Sequence, residues 1–125
     1  MEELNKITEA IIGAAIEVHR HLGPGLLESA YRECLRYELL QRGHVALQEV
    51  PLPLTCKGIK LDCGYRLDLF VDNTVIVEVK SVSDLAPIHE AQLRSYLKIS
   101  GGKIGLLLNF NVKILELGSI KRLAN

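Results

Sequence analysis

The chain has 125 residues, 48% of them hydrophobic and 24% charged, and its 15 Lys and Arg balance its 15 Asp and Glu. That length supports one domain with a real core but not two, and the balance excludes both a disordered polyelectrolyte and a protein that grips nucleic acid through bulk positive charge. No apolar run approaches the roughly 18 residues that a membrane helix needs, and the opening MEELNKITEA is acidic where a signal peptide is basic, so the expectation is a cytoplasmic protein without membrane contact.

Residues 4 to 21 carry Ile7, Ile11, Ala14 and Val18 at helical spacing, which predicts a helix ending at His21-Leu22-Gly23-Pro24-Gly25. Gly and Pro there separate it from a second helix, predicted from Leu26 to Gln41 and closed by Gly43. Within this helix Glu28 and Tyr31 stand three apart and share a face near the N-terminus, with Arg32 within reach of Glu28. By themselves these residues fit a surface ion pair or an acid favoured by the helix dipole. Val45 to Leu54 alternates in polarity, and Pro51 and Pro53 suit an edge or bulged strand. Cys56-Lys57-Gly58-Ile59 reads as a turn. Cys34, Cys56 and Cys63 show no CxxC or Cys/His ligand spacing, so the thiols are expected reduced, with no disulfide framework or zinc site.

Residues 65 to 80, YRLDLFVDNTVIVEVK, form two alternating strands around a polar turn. If Asp72, Asn73 and Thr74 make the turn, with Asn73 tolerating positive φ, Val71 pairs with Val75, Leu69 with Val77 and Leu67 with Val79 on an aliphatic face. The other face then pairs Phe70 with Ile76, Asp68 with Glu78 and Arg66 with Lys80. A one-residue slip would mix core with charge and is disfavoured. Two carboxylates directly opposite each other cost about 0.2 to 1 kcal/mol, so they need a compensating partner. A divalent cation is one, since Mg²⁺ takes one or two carboxylates completed by water and phosphate oxygens, and Lys80 lies on the same face. Diagonal salt bridges, Asp68 with Lys80 or Arg66 with Glu78, are the other.

Pro87 opens a third predicted helix that runs to Ser100 and stops at Gly101-Gly102. His89, Gln92 and Tyr96 project from one side, with Ile88, Ala91 and Leu97 facing elsewhere. Gln92 and Tyr96 fit either a solvated helix face or a site that binds phosphate oxygens and orients Lys80. His89 is assigned a supporting position behind them. Ile104 to Leu108 is continuously apolar, as expected of a strand buried on both faces, and strand-helix-strand in succession predicts a right-handed parallel crossover. Val112 to Leu123 ends the chain as an edge strand. From Pro51 onward basic residues outnumber acidic ones, enough for a modest basic face.

These residues match a known pattern. Asp68, a turn, then Glu78-Val79-Lys80 resembles the D…ExK active-site motif of the PD-(D/E)XK nuclease superfamily, with Leu67 standing where the literal motif has proline. Gly25-Leu26-Leu27-Glu28-Ser29-Ala30-Tyr31 is similar to the signature of the GxxExxY protein family, and Gln92 with Tyr96 is similar to the QxxxY helix motif of RecB-like nucleases. The resemblance spans the first helix to the last strand. It implies an α/β, restriction-endonuclease-like fold: a small mixed sheet with two N-terminal helices and one crossover helix, forming a single nuclease-like domain over residues 1–125. It further implies that Asp68 and Glu78 hold Mg²⁺, or Mn²⁺ in its place, that Glu28 is an additional acidic ligand, and that Lys80 positions or activates the attacking water. The activity then expected is metal-dependent hydrolysis of nucleic acid, DNA foremost. The alternative is a non-cleaving nucleic-acid or protein binding module that retains the fold, with a second copy or a partner protein completing a groove. A third is the same site acting on a smaller phosphoester.

Overall fold

Ile7, Ile11, Ala14, Ala15 and Val18 recur every three or four residues along α1 (Glu2–Leu22) and are all buried, which makes this helix one lid of a core. The structure, a computed structural model, describes residues 2–125, with Met1 outside the described residues. α2 (Glu28–Gln41) packs beside α1, presenting Tyr31, Leu35 and Leu39. It begins two residues later than the sequence predicts. Leu27 is extended, and the Leu26 amide is taken by the Tyr31 hydroxyl at 3.1 Å instead of entering the helix.

β1 (Ala46–Pro51) is the expected edge strand. The turn expected at Cys56–Ile59 is the tip of a small hairpin, β2 (Leu54–Cys56) and β3 (Ile59–Leu61), with Lys57 and Gly58 both at positive φ. Its three-residue strands are too short to show alternation. β4 (Arg66–Val71) and β5 (Val75–Lys80) keep the expected register of Val71 with Val75, Phe70 with Ile76 and Leu69 with Val77. Asp72 as well as Asn73 takes positive φ in the turn. The Asp72 carboxylate explains the position, since it accepts the Val45 amide at 2.9 Å and meets His44 Nδ1 at 2.6 Å, tying the turn to the start of β1.

α3 (Pro87–Ser100) connects β5 to β6 (Ile104–Asn109), which runs parallel to β5, and β7 (Ile120–Ala124) follows antiparallel, so the five-stranded order is β1-β4-β5-β6-β7. The fold is α/β with a mixed sheet, consistent with the restriction-endonuclease-like expectation. α1 and α2 cover one face over Leu69, Val71, Val75, Val77 and Leu106. α3 covers the other over Ile76 and Leu107. Leu67 corrects the sequence reading: it packs in this second layer with Leu52 and Tyr96, not with Val79, because β4 pairs with β5 only from Leu69 onward. No helix among the described residues is long and apolar enough to cross a membrane.

Gly105 of β6 lies tight against α3, where an added Cβ would lie 2.7 Å from a Leu93 methyl carbon. Gly105→Ala should therefore cost about 1–3 kcal/mol through overpacking. Urea unfolding measures it, and an unchanged midpoint would contradict so tight a contact.

Candidate active site

The β4–β5 ladder stops at Leu69 and Val77 although both strands continue. Beyond it β4 stays with β1 as far as Arg66, and β5 stays with β6 as far as Lys80, so the strands part in the middle of the sheet. Asp68 and Glu78 occupy the fork. The Asp68 amide donates to Glu78 Oε2 at 2.9 Å, and the Val79 amide donates to Asp68 Oδ2 at 2.7 Å. Each carboxylate thus replaces a main-chain acceptor that the ladder would have supplied, and each is oriented by the opposite strand. The β1–β4 pairing also skips Asp68, opposite Glu49 at φ 51°.

The diagonal salt bridges that were the alternative to a cation are not formed. Lys80 Nζ donates to Gln92 Oε1 at 3.1 Å, and Arg66 reaches Asp62 at 3.7 Å and the Tyr65 carbonyl. Glu28, at the first turn of α2, does not pair with Arg32 either. Its Oε2 accepts the Ser81 amide at 3.3 Å, just past Lys80. Arg32 instead contacts Gln48, Glu33 and Glu49.

Local sequence explains why Glu28 reaches the end of β5. The buried Tyr31 ring stacks on Phe110 at 4.6 Å, and its hydroxyl donates to the Gly23 carbonyl at 2.5 Å while accepting the Leu26 amide. Ser81 Oγ donates to the Leu26 carbonyl at 2.7 Å, so the loop before α2 is fastened to the chain after β5. Asn109 closes the same region, exchanging two hydrogen bonds with Val82, at 3.1 and 2.9 Å. From α3, Gln92 contacts Lys80, and Tyr96 stands edge-on to Tyr65 with centroids 6.1 Å apart. His89 is a capping residue, its Nδ1 accepting the Ala86 amide at 2.9 Å. Ile88, expected to face away, lines the same cleft as Gln92 and Tyr96.

Glu78 is 3% exposed. Burial, then repulsion from Asp68 and from Glu28, pushes its carboxyl up to about 8, against the Asp68 amide and Lys80, which pull the other way. Burial also raises Asp68, with Glu28 adding to it and the Val79 amide, Lys80 and Arg32 opposing. Tyr96 is raised by burial and by the nearby Glu78, Asp68 and Tyr65. A buried and a half-buried carboxyl that resist ionising together form a donor set suited to a hard divalent cation, whose charge would relieve the repulsion. Among the described residues no group of three or more His, Cys, Asp and Glu is gathered to hold a metal. The convergent unit is the Asp68–Glu78 pair, a carboxylate count that Mg²⁺ commonly accepts when water and phosphate complete its shell.

Sequence spacing located Asp68, Glu78, Lys80, Gln92 and Tyr96, and the structure brings them together with Glu28 at the rim. It did not reveal Arg32 as a cation felt by Asp68, or Tyr65 and Asn109 as parts of the surroundings. Arg32 left one signal, its spacing of four from Glu28. A family model described as the PD-(D/E)XK nuclease superfamily matches residues 5–123. No curated protein and no solved structure matches the chain.

In metal-free protein the Glu78 proton is retained by the folded state up to about pH 8, whereas the unfolded chain releases it near the usual glutamate value, about 4.3. The folded state thus binds more protons across that window, and this group's contribution to stability falls as pH rises through it. Glu78→Gln should flatten that part of the profile. Thermal unfolding in EDTA across the window measures it; identical profiles for the two proteins would contradict the burial of an acid here.

Proposed function

The chain belongs to the PD-(D/E)XK nuclease superfamily, and on that premise we propose that it is an enzyme hydrolysing phosphodiester bonds in nucleic acid, DNA foremost, with Mg²⁺ as cofactor and Mn²⁺ as substitute. Nuclease-like function, a nucleic-acid substrate and dependence on a divalent metal are general to that superfamily. The observation that carries the finer reading is the exchange of carboxylates and amides between Asp68 and Glu78, which aims both acids into one fork. Asp68 and Glu78 would hold the ion, with Glu28 swinging from the Ser81 amide to join them. When bound, such an ion lowers the pKa of water and offsets charge developing on the phosphate.

The residues of the chain do the rest. Lys80, held by Gln92, positions the attacking water and its ammonium faces the phosphate oxygens. Gln92 orients Lys80, and Tyr96 offers its hydroxyl to a phosphate oxygen. Residues 1–125 act as one nuclease-like domain of the GxxExxY type in the cytoplasm, and a second copy or protein partner extends the contact with a polyanion that a chain of zero net charge holds weakly. One observation favours a non-cleaving binding module instead: Glu28 is turned to Ser81, and no third acid completes a cluster among the described residues.

Asp68→Ala and Lys80→Ala should each lower cleavage by about 10²-fold or more while leaving the circular dichroism spectrum unchanged. Wild-type activity in both purified variants would end the nuclease reading. Titrating Mg²⁺ into the protein by calorimetry near neutral pH separates the two readings. Heat that disappears in Asp68→Ala supports the enzyme, and no heat in the wild type supports the module.

A further inference from the structure

Next to Lys80 a cleft of about 470 Å³ opens between α3 and the β2–β3 hairpin. Its walls divide by chemistry. Leu54, Tyr65, Ile88 and Ile99 supply apolar surface, and Tyr65 is 43% exposed, its ring meeting that of Tyr96 at an interplanar angle of 65°. Gln92 and Ser95 supply polar atoms. Gln92 presents its Oε1 to Lys80, and its Nε2 makes no hydrogen bond within the described residues. No acidic residue is among those lining the cleft; its ionisable side chains are Lys80, at the end nearest the fork, and His89, whose Nδ1 is taken up by the Ala86 amide.

An exposed aromatic ring, flat aliphatic walls, amide donors and a cation at one end suit a nucleoside whose phosphate lies over the fork. A base inside a duplex is stacked between its neighbours and cannot enter a recess bounded by a helix and a hairpin. An unpaired base can. We infer that this cleft takes an unpaired nucleobase, with its sugar, from the nucleotide beside the scissile phosphate, so that the substrate is single-stranded or frayed nucleic acid. The inference rests on the nuclease reading for the place of the phosphate, but base binding itself is measurable without cleavage.

The test is fluorescence anisotropy in EDTA with two labelled probes, a short oligothymidylate and a blunt GC-rich hairpin duplex. The single strand should bind more tightly than the duplex. Tyr65→Ala should weaken single-strand binding by about 5- to 100-fold, the range that loss of one base–aromatic stack produces. Ile88→Asp, at a position 70% exposed and so tolerant of change, should weaken it as well and serves if Tyr65→Ala folds poorly. Single-strand affinity unchanged in both variants, a preference for duplex, or no binding of oligothymidylate by wild type overturns the inference, even if Mg²⁺-dependent cleavage of duplex persists. Loss of cleavage alone, with these affinities as expected, overturns the nuclease reading and leaves the cleft as a base-binding site.

Discussion

Everything at the site follows from two side chains doing the work of two carbonyls. Where β4 and β5 would have continued their ladder, the Asp68 amide turns to the Glu78 carboxylate and the Val79 amide turns to the Asp68 carboxylate. Each amide so diverted keeps an acceptor, so the fork leaves neither donor orphaned even as the strands part. The arrangement is costly in another way. Both acids are drawn out of water toward each other, and their proton affinities rise together. A site whose two acids resist ionising together, with their geometry already fixed, is prepared for a cation before any arrives.

The surroundings keep that geometry from relaxing. Lys80 is bonded through its carbonyl to the Phe110 amide and through its ammonium to Gln92, so the residue just past β6 and helix α3 both fix it. The next residue, Ser81, is held by Leu26 and Glu28, and Val82 by Asn109. The last residue of one central strand and the two after it are therefore tied to three different parts of the chain. Such tethering suits chemistry in which small displacements of a reacting group cost large factors in rate.

Much of this was legible in the sequence because the relevant periods are short. Alternation in YRLDLFVDNTVIVEVK set the register of the hairpin, and helical spacing placed Gln92 and Tyr96 on one side of α3. What the pattern could not convey is where a register stops being a ladder. Pairing rules extended Leu67 onto Val79, whereas Asp68 diverts the backbone hydrogen bonds and Leu67 goes to the opposite layer with Tyr96. The β2–β3 hairpin was read only as its turn, since three-residue strands carry no usable period. Tyr31 looked like a surface neighbour of Glu28 on spacing alone. Its burial against Phe110 depends on a contact made across most of the chain, which spacing within one helix does not record. The apolar cleft beside Lys80 was invisible for the same reason, being assembled from the hairpin, the segment before β4 and α3.

The hydroxyl of Tyr31 spans the α1–α2 connection from Gly23 to Leu26, clasping both its ends with a single oxygen atom. That makes the connection a measured spacer. One residue more or fewer there would part the oxygen from one of its two partners and shift the start of α2, carrying Glu28 away from Ser81. The tip of the β2–β3 hairpin at Lys57-Gly58 is exposed and bonded only within its own two-stranded sheet, so chain length can vary there without the fork registering it. The two connections thus differ in their tolerance of insertions, and the difference is set by one phenolic oxygen.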